Sequence, residues 1–444
     1  METIIQAFVD NPVYLAVAVI LALVIIIGFI RKLMKLVLVV AAILVIYIAY
    51  MIFWLDKSPD EIKEELEKIP EKLKETTLSQ KYSPTQNIVV EKPRFLDEEE
   101  PAMNNRIQLV TKDLIPVYLD IYKKFSDDLS AVKPEGLSNT IHQFFNKEAK
   151  INVVAPFNEI IGGKELLEKL FNPMLYAFPN LYRRTDILFS GIFNEEEWVT
   201  GSGHFVGTFA KDWMGIPANN QLTFLRFGEF HRMQDGQAIE TYLFFDLIDL
   251  LRQIGKWPLL TKSLGDERFI PGPITSDGII LQEQNPEDSL SSLVMVEEML
   301  KRLFTKEQAW RKYWYDNMMW YGPSGYGSYI GIDGFARFQL PYESIFDPFR
   351  KSSVAMNCER GSSLDIAVKG HFARFAEGNY VASGGWPSHG GHLCGKWLGI
   401  EPKGQQFTCR ISDWWRREGN KLVENWVFVD LVDMLKQLDY DVFK

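Results

Sequence analysis

Two stretches of this chain hold residues that could do acid–base chemistry, and they sit at matched places. Glu240, Tyr242, Phe244 and Asp246 recur every second residue, so an extended strand puts all four on one face. Glu424, Trp426, Phe428 and Asp430 repeat the arrangement. A carboxyl at the end of an otherwise aromatic face loses solvation, which disfavours its charged form. Such an acid could take a proton from the carbon beside a carbonyl and return one to oxygen. An intramolecular aldol closure needs that exchange. Asp246 and Asp430 therefore lead as catalytic candidates. Both also stand where a strand gives way to a helix, and Asp in that position caps helix amides. The sequence leaves the two roles open.

The strand before each of these adds further candidates. Arg226 and Arg232 share one face, with Glu229 and His231 on the other. In the matching stretch Arg410, Trp414 and Arg416 oppose Asp413 and Trp415. Glu229, His231 and Asp413 are additional acid–base candidates. Arg226, Arg232, Tyr242, Arg410, Trp414, Arg416 and Trp426 are candidate ligand contacts, since a guanidinium fork can orient a carboxylate, ester or enolate. The alternative is plain cross-strand pairing of Arg with Asp or Glu. His231 corresponds to Trp415, so the two stretches do not share that imidazole. His204 corresponds to Ser388, and His389 and His392 stand nearby in SHGGH. No third ligand accompanies them, and no metal site is expected. Trp213 in DWMGIP and Trp397 in KWLGIEP each adjoin a turn, either as a plug in the wall or as a lid.

These residues belong to an internal repeat. Trp213–Gly255 and Trp397–Asp439 align without gaps at an offset of 184, with 13 of 43 positions identical. GGKELLEKLFNPMLYAFPN aligns more loosely with IGIDGFARFQLPYESIFDP, at an offset of 168. The second copy thus carries about sixteen extra residues, around Lys351–Glu377. Each copy reads as a helix (Leu137–Phe145, then Lys306–Met319), a second helix ending at Phe-Pro or Phe-Asp-Pro, and several strands. Leu222–Met233 and Phe407–Arg416 are strands, with turns at Asp235–Gly236 and Glu418–Asn420. Ile239–Phe245 and Leu422–Val429 return, and a short amphipathic helix closes each copy. The expected class is α+β, with helices on one side of a curved antiparallel sheet. Lys256–Ser291, between the copies, is long for a loop and should pack along them.

Composition narrows the function. The 444 residues carry 48 Lys and Arg against 58 Asp and Glu, a net charge of -10. A nucleic-acid partner is not expected, because that affinity needs clustered positive charge. The three cysteines form no CxxC, so neither a disulfide framework nor a thiolate zinc site has support. No P-loop, GxGxxG, HExxH or GxSxG motif occurs.

The first residues differ in kind. Pro12–Ile30 and Leu36–Leu55 are uncharged runs of 19 and 20 residues, each long enough to cross a bilayer core of about 30 Å. The favoured reading is a transmembrane helical hairpin turning at Arg31–Lys35. These basic residues favour a cytoplasmic turn and an extracytoplasmic soluble part, though the lysines after Lys57 pull the other way. A solvated stalk and a linker follow.

At the repeated motifs the chain resembles the SnoaL-like polyketide (ester) cyclase family of the NTF2-like superfamily. The words that carry the likeness are GTFAKDWMGIPANN, RFGEFHRMQDGQAIETY and FFDLIDLLRQIG, then GKWLGIEPKG, DWWRREGNKLVENW and VFVDLVDMLKQL. The resemblance implies tandem cone-shaped barrels, each with a cavity between sheet and helices. It also implies acid–base chemistry without metal or organic cofactor, and an Asp at the position of Asp246 and Asp430 as the acid/base. The domain organisation expected is a hairpin at 1–57, stalk and linker at 58–103, a first SnoaL-like domain at 104–260, a connector at 261–291 and a second domain at 292–444. Expected partners are the lipid bilayer, an apolar small molecule, and a homo-oligomer or membrane-protein complex. A membrane-tethered cyclase, isomerase or hydrolase is one reading. A non-catalytic ligand-binding or scaffold subunit, built as an intramolecular pseudo-dimer, is the other.

Overall fold

The computed structural model describes residues 118–130, 134–303, 308–345 and 371–444. The expected membrane hairpin and stalk lie outside the described residues. Among the described residues no helix is long and apolar enough to cross a membrane.

The first copy opens with α1 (Leu119–Ser130) and α2 (Pro134–Phe144). Strand β1 (Phe145–Val153) and the short β2 (Asn158–Ile161) follow. A continuous helical stretch then runs through α3 (Gly162–Leu166), a π turn (Leu167–Phe171) and α4 (Asn172–Ala177), ending at Phe178-Pro179. Four long strands come next: β3 (Tyr182–Phe193), β4 (Glu196–Thr208), β5 (Leu222–Gln234) and β6 (Gln237–Phe245). Helix α5 (Leu247–Gln253) closes the unit. The sheet order is β2-β1-β6-β5-β4-β3.

The second copy repeats this plan. Helix α6 (Pro286–Leu300) leads to a three-ten turn at Ala309–Tyr313, then β7 (Trp314–Tyr321), β8 (Ser328–Ile330) and α7 (Ile332–Ser344). Strands β9 (His371–Glu377), β10 (Tyr380–His392), β11 (Gln406–Glu418) and β12 (Lys421–Val429) precede α8 (Leu431–Gln437). Their order is β8-β7-β12-β11-β10-β9.

Three expectations change. The sheets are mixed, not antiparallel: β1 runs parallel to β6, and β7 parallel to β12. Each of these strands enters after a helix on the sheet's face, so it can join the last strand head to head. Of the helix expected over Lys306–Met319, the described part is a three-ten turn followed by strand β7. Trp310, Tyr313 and Trp314 have helical spacing, but the aromatic run WYDNMMWY gains a ladder beside β12 instead. The last seven residues of the supposed insertion are strand β9, paired with β10. A disulfide also exists: Cys394 is bonded, whereas Cys409 is a buried free thiol.

The connector does pack along both copies. Ile279 bridges to Leu188 on β3, and Asp266 bridges to Ser328 on β8. Trp213 and Trp397 are both buried wall plugs. Trp213 meets Phe178, and Trp397 meets Tyr326 and Tyr342.

Period-two alternation divides each sheet into an inner face towards its own helices and an outer face. The two outer faces meet, forming a seam between the copies. Tyr242 lies flat on Phe372, centroids 3.5 Å apart, and Phe230 packs on Trp414 at 5.1 Å. Trp414 Nε1 donates to Thr200 Oγ1 across the seam at 3.1 Å. Gly228 makes room: a Cβ there would come within 2.6 Å of the Trp414 ring.

Candidate functional site

In the second copy the inner face of β11 and β12 lines a cavity of about 100 Å³. Ile411, Asp413 and Trp415 come from β11, and Asn425, Val427 and Val429 from β12. Helices α6 and α7 close it with Met299, Phe335, Phe338 and Tyr342. Asp413 shows part of its surface because it faces this cavity. Asn425 Nδ2 donates to Asp413 Oδ1 at 3.2 Å. Burial pushes the Asp413 carboxyl up to about 7, against the pull of the Asn425 bond and the charges of Arg374 and Arg226. A carboxyl that titrates near neutrality exchanges protons in both directions.

A hydrogen-bonded chain lies beside it. Tyr342 Oη meets His389 Nε2 at 2.6 Å, and His389 Nδ1 meets Ser388 Oγ at 3.3 Å. Ser388 Oγ meets His371 Nε2 at 3.2 Å, and His371 Nδ1 meets Ser383 Oγ at 2.6 Å. Arg374 Nε donates to Ser383 Oγ at 3.0 Å. Guanidinium only donates, so Ser383 Oγ accepts from it, and one tautomer assignment satisfies the whole chain. In that assignment Ser383 donates to His371, His371 to Ser388, Ser388 to His389 and His389 to Tyr342, which donates to Cys409 Sγ at 3.5 Å. Burial lowers His389 to about 4, so its imidazole is neutral at physiological pH. His371, Ser388 and His389 all line the Asp413 cavity.

The first copy uses its matching carboxylate differently. Glu229 is gripped by Arg183, whose Nη1 donates to Oε2 at 3.1 Å and whose Nη2 donates to Oε1. Tyr122 Oη donates to Oε1 at 2.6 Å. Burial alone would raise Glu229, but the Arg183 charge, with His231 beside it, holds it well below the usual carboxylate range. His231 donates to or accepts from Thr241 Oγ1 at 2.9 Å and is ringed by Tyr122, Phe125, Phe144 and Phe145. Burial lowers its basicity, with Glu229 opposing. An ionised, fully bonded carboxylate is a poor proton acceptor, so this cluster reads as a buried ion pair.

The remaining sequence-predicted residues stand at the seam. Asp246 Oδ1 caps α5 by accepting from the Asp249 amide at 3.0 Å. Its Oδ2 accepts from the Ser324 amide of the second copy at 2.8 Å. Asp430 mirrors this, with Oδ1 on the Asp433 amide at 3.0 Å and Oδ2 on the Ala155 amide of the first copy at 2.9 Å. Burial raises Asp246 to about 7 and Asp430 to about 6, against the pull of these amides. Arg410 binds Asp430 at 3.1 Å. Arg226 donates to the Val427 carbonyl at 3.0 Å. Arg232 pairs with Glu240 at 2.9 Å and Glu196 at 2.6 Å, and Tyr242 Oη donates to Glu240 at 2.7 Å. Arg416 pairs with Glu424 at 2.5 Å. Trp426 Nε1 donates to the Pro271 carbonyl of the connector at 2.9 Å. The acid-tipped aromatic face chosen from the sequence is thus the face that joins the copies, while Glu229, His231, Asp413 and Trp415 point inward.

Comparison with known proteins bears on both copies. The family model for SnoaL-like polyketide cyclase matches residues 128–254 and 373–438. The match spans most of the first sheet domain and the later strands of the second. The second match begins within β9, so helices α6 and α7 and strand β7 fall outside it. No curated protein matches the chain. Among solved structures the chain is similar to IdmH from Streptomyces antibioticus, a proposed polyketide cyclase. Identity is 16%, over 31% of this chain and 96% of IdmH, with a TM-score of 0.26. A SnoaL-like protein from Jannaschia sp. CCS1 gives 16% identity, over 32% and 96% of the two chains, with a TM-score of 0.28. AclR of Streptomyces galilaeus, a proposed hydroxylase, gives 18%, over 31% and 94%, with a TM-score of 0.26.

Several residues around the two inner-face sites carry little sequence signal. Arg183 and Tyr122 neutralise Glu229 from a strand and a helix 46 and 107 residues away. His371 lies in the supposed insertion. Asn425 was available by alternation, two residues before Val427 on the face opposite Glu424 and Trp426. Among the described residues no group of three or more His, Cys, Asp or Glu is arranged to hold a metal ion.

Proposed function

We propose that the second SnoaL-like domain is a cofactor-independent acid–base site for a small carbonyl compound, with Asp413 as the proton acceptor and donor. The observation that carries this reading is a carboxyl of near-neutral pKa facing an apolar cavity. Asp413 would remove the proton beside the carbonyl, and the His371–Ser388–His389 chain, with His389 neutral, would return or remove protons along its length. At about 100 Å³ the cavity suits a compact substrate or the reacting end of a slender one. The first domain serves as the structural half, because Arg183 keeps Glu229 ionised and occupied.

The test is exchange of the α-protons of small ketones and β-diketones in deuterated water, followed by NMR. Wild-type protein should accelerate exchange, and Asp413→Asn should lose about 100-fold or more of that acceleration. Equal rates for the two proteins would refute the assignment.

The uncharged runs Pro12–Ile30 and Leu36–Leu55 extend the reading to a tethered protein whose substrate partitions from lipid. The full chain should stay with membranes after carbonate washing, and removal of residues 1–57 should release it. The opposite pattern would remove the tether from the proposal.

A further inference from the structure

Arg226 and Arg410 occupy equivalent positions in the repeat, yet the seam treats them differently. Arg410 has carboxylates at hand: Asp430 Oδ2 at 3.1 Å and Asp433 Oδ2 at 3.4 Å, with Asn158 Oδ1 at 3.1 Å. Arg226 is 3% exposed. Its Nη1 donates to the carbonyls of Val427 at 3.0 Å and Gly322 at 3.5 Å, and its guanidinium sits 3.9 Å above the Phe428 ring. Its Nη2 has no hydrogen-bond partner. The acids that match Arg410's partners are committed elsewhere. Asp246 accepts the Ser324 and Asp249 amides, and Asp249 is held by Arg252 and Gln253. Leaving a buried guanidinium without a carboxylate is costly. Burial pulls its pKa down to about 10.

A cavity of about 360 Å³ opens beside this side chain. Arg226, Asp246, His204, Phe224, Phe269 and Ile270 are among its walls. Phe269 comes from the connector, is 47% exposed, and stacks on His204 with centroids 4.8 Å apart. The cavity shares no lining residue with the one at Asp413. Its volume falls within the range of small-molecule sites. Asp249, Asp266 and Glu267 also line it, with Arg184, Arg252 and Arg268 offsetting their charge, and the rings of Phe224 and Phe269 favour an anion with an apolar body over a small inorganic one.

We propose that this seam cavity binds a small monocarboxylate with a flat apolar body. The carboxylate takes the hydrogen bond that Arg226 Nη2 has to give, and the body lies along Phe224 and Phe269. The site belongs to the fused pair, because the first copy supplies Arg226 and Phe224, the connector Phe269, and the second copy Gly322 and Ser324.

Titration calorimetry on the full-length chain tests this with three probes: benzoate, uncharged benzamide and inorganic phosphate. Benzoate should bind, with benzamide weaker by about tenfold or more, as loss of a charge-assisted hydrogen bond implies, and phosphate weaker by a similar factor because it has no apolar body to lie along Phe224 and Phe269. Arg226→Gln should weaken benzoate by about tenfold or more. Phe269→Ala, at a half-exposed ring of the connector, should weaken it by about threefold. Arg410→Gln should leave it unchanged. The proposal fails if benzoate gives no heat up to millimolar concentration, or if benzamide binds equally well. It also fails if Phe269→Ala binds benzoate as wild type does, a result that stands even if Arg226→Gln does not fold.

Discussion

Asp413 and Glu229 occupy matching places on the inner faces of two copies, and their surroundings drive them apart. Glu229 has Arg183 and Tyr122 and stays ionised, whereas Asp413 has one amide donor and an apolar hollow. This difference sets a pH dependence. The Asp413 pKa rises from 3.8 unfolded to about 7 folded, so the folded state holds its proton where the unfolded state has released it. Stability from this group is complete below pH 3.8, falls as pH rises, and is gone above about 7. Asp413→Asn cannot ionise, so its stability relative to wild type should climb between pH 4 and 7 by about 2 kcal/mol, discounted for the cavity-facing surface. Urea melts across that range measure it, and a flat difference would show an ordinary carboxylate. Glu229 behaves oppositely. Arg183→Met leaves a buried charge unpaired and should cost about 3–5 kcal/mol, with Arg183→Met/Glu229→Gln recovering much of it. Without recovery in the double variant, the pair would not be coupled. The His231-to-Trp415 difference was legible in the sequence as a sign of unequal chemistry. The neutralising role of Arg183 was not, because a partner far along the chain leaves no local pattern.

At the scale of elements, alternation on β5, β6, β11 and β12 sorted side chains into two faces, and those sets hold in the structure. Alternation does not say which face meets helices and which meets a second sheet. Both are apolar, and Tyr242, Phe244, Trp426 and Phe428 would suit either. Asp246 and Asp430 show the consequence. Each caps its closing helix with one oxygen and holds the other copy's backbone with the second. A cap alone is worth about 1 kcal/mol. Asp246→Ala and Asp430→Ala should each cost about 2–3 kcal/mol in denaturant melts, because an amide across the seam also loses its acceptor. A loss confined to about 1 kcal/mol would mean that the cross-seam bond adds nothing. Helix α8 and the hairpin turn at Gly419 were readable from local sequence alone. The parallel strands β1 and β7 were not, since their partners are set by a crossing over the sheet's face and not by local residue preference.

At the largest scale, the described residues form a fused pair of mixed-sheet α+β domains joined through their outer sheet faces and bound along the side by the connector. Its seam is closed by rings from both copies, and Gly228 is the small residue that lets Trp414 and Phe428 approach. Gly228→Val should therefore destabilise the chain by about 1–3 kcal/mol through overpacking. Calorimetric unfolding checks this, and an unchanged melting temperature would place the rings further apart than described. Duplication was legible from the 184-residue offset, but the division of labour between copies was not. That division rests on Asp413 being a proton donor and acceptor at neutral pH. The direct measurement is infrared difference titration of the Asp413 carboxyl, wild type against Asp413→Asn, from pH 3 to 9. A protonated carbonyl band that disappears with a midpoint near 7 is the outcome expected here; a band lost near the ordinary carboxylate value of about 4 would contradict it.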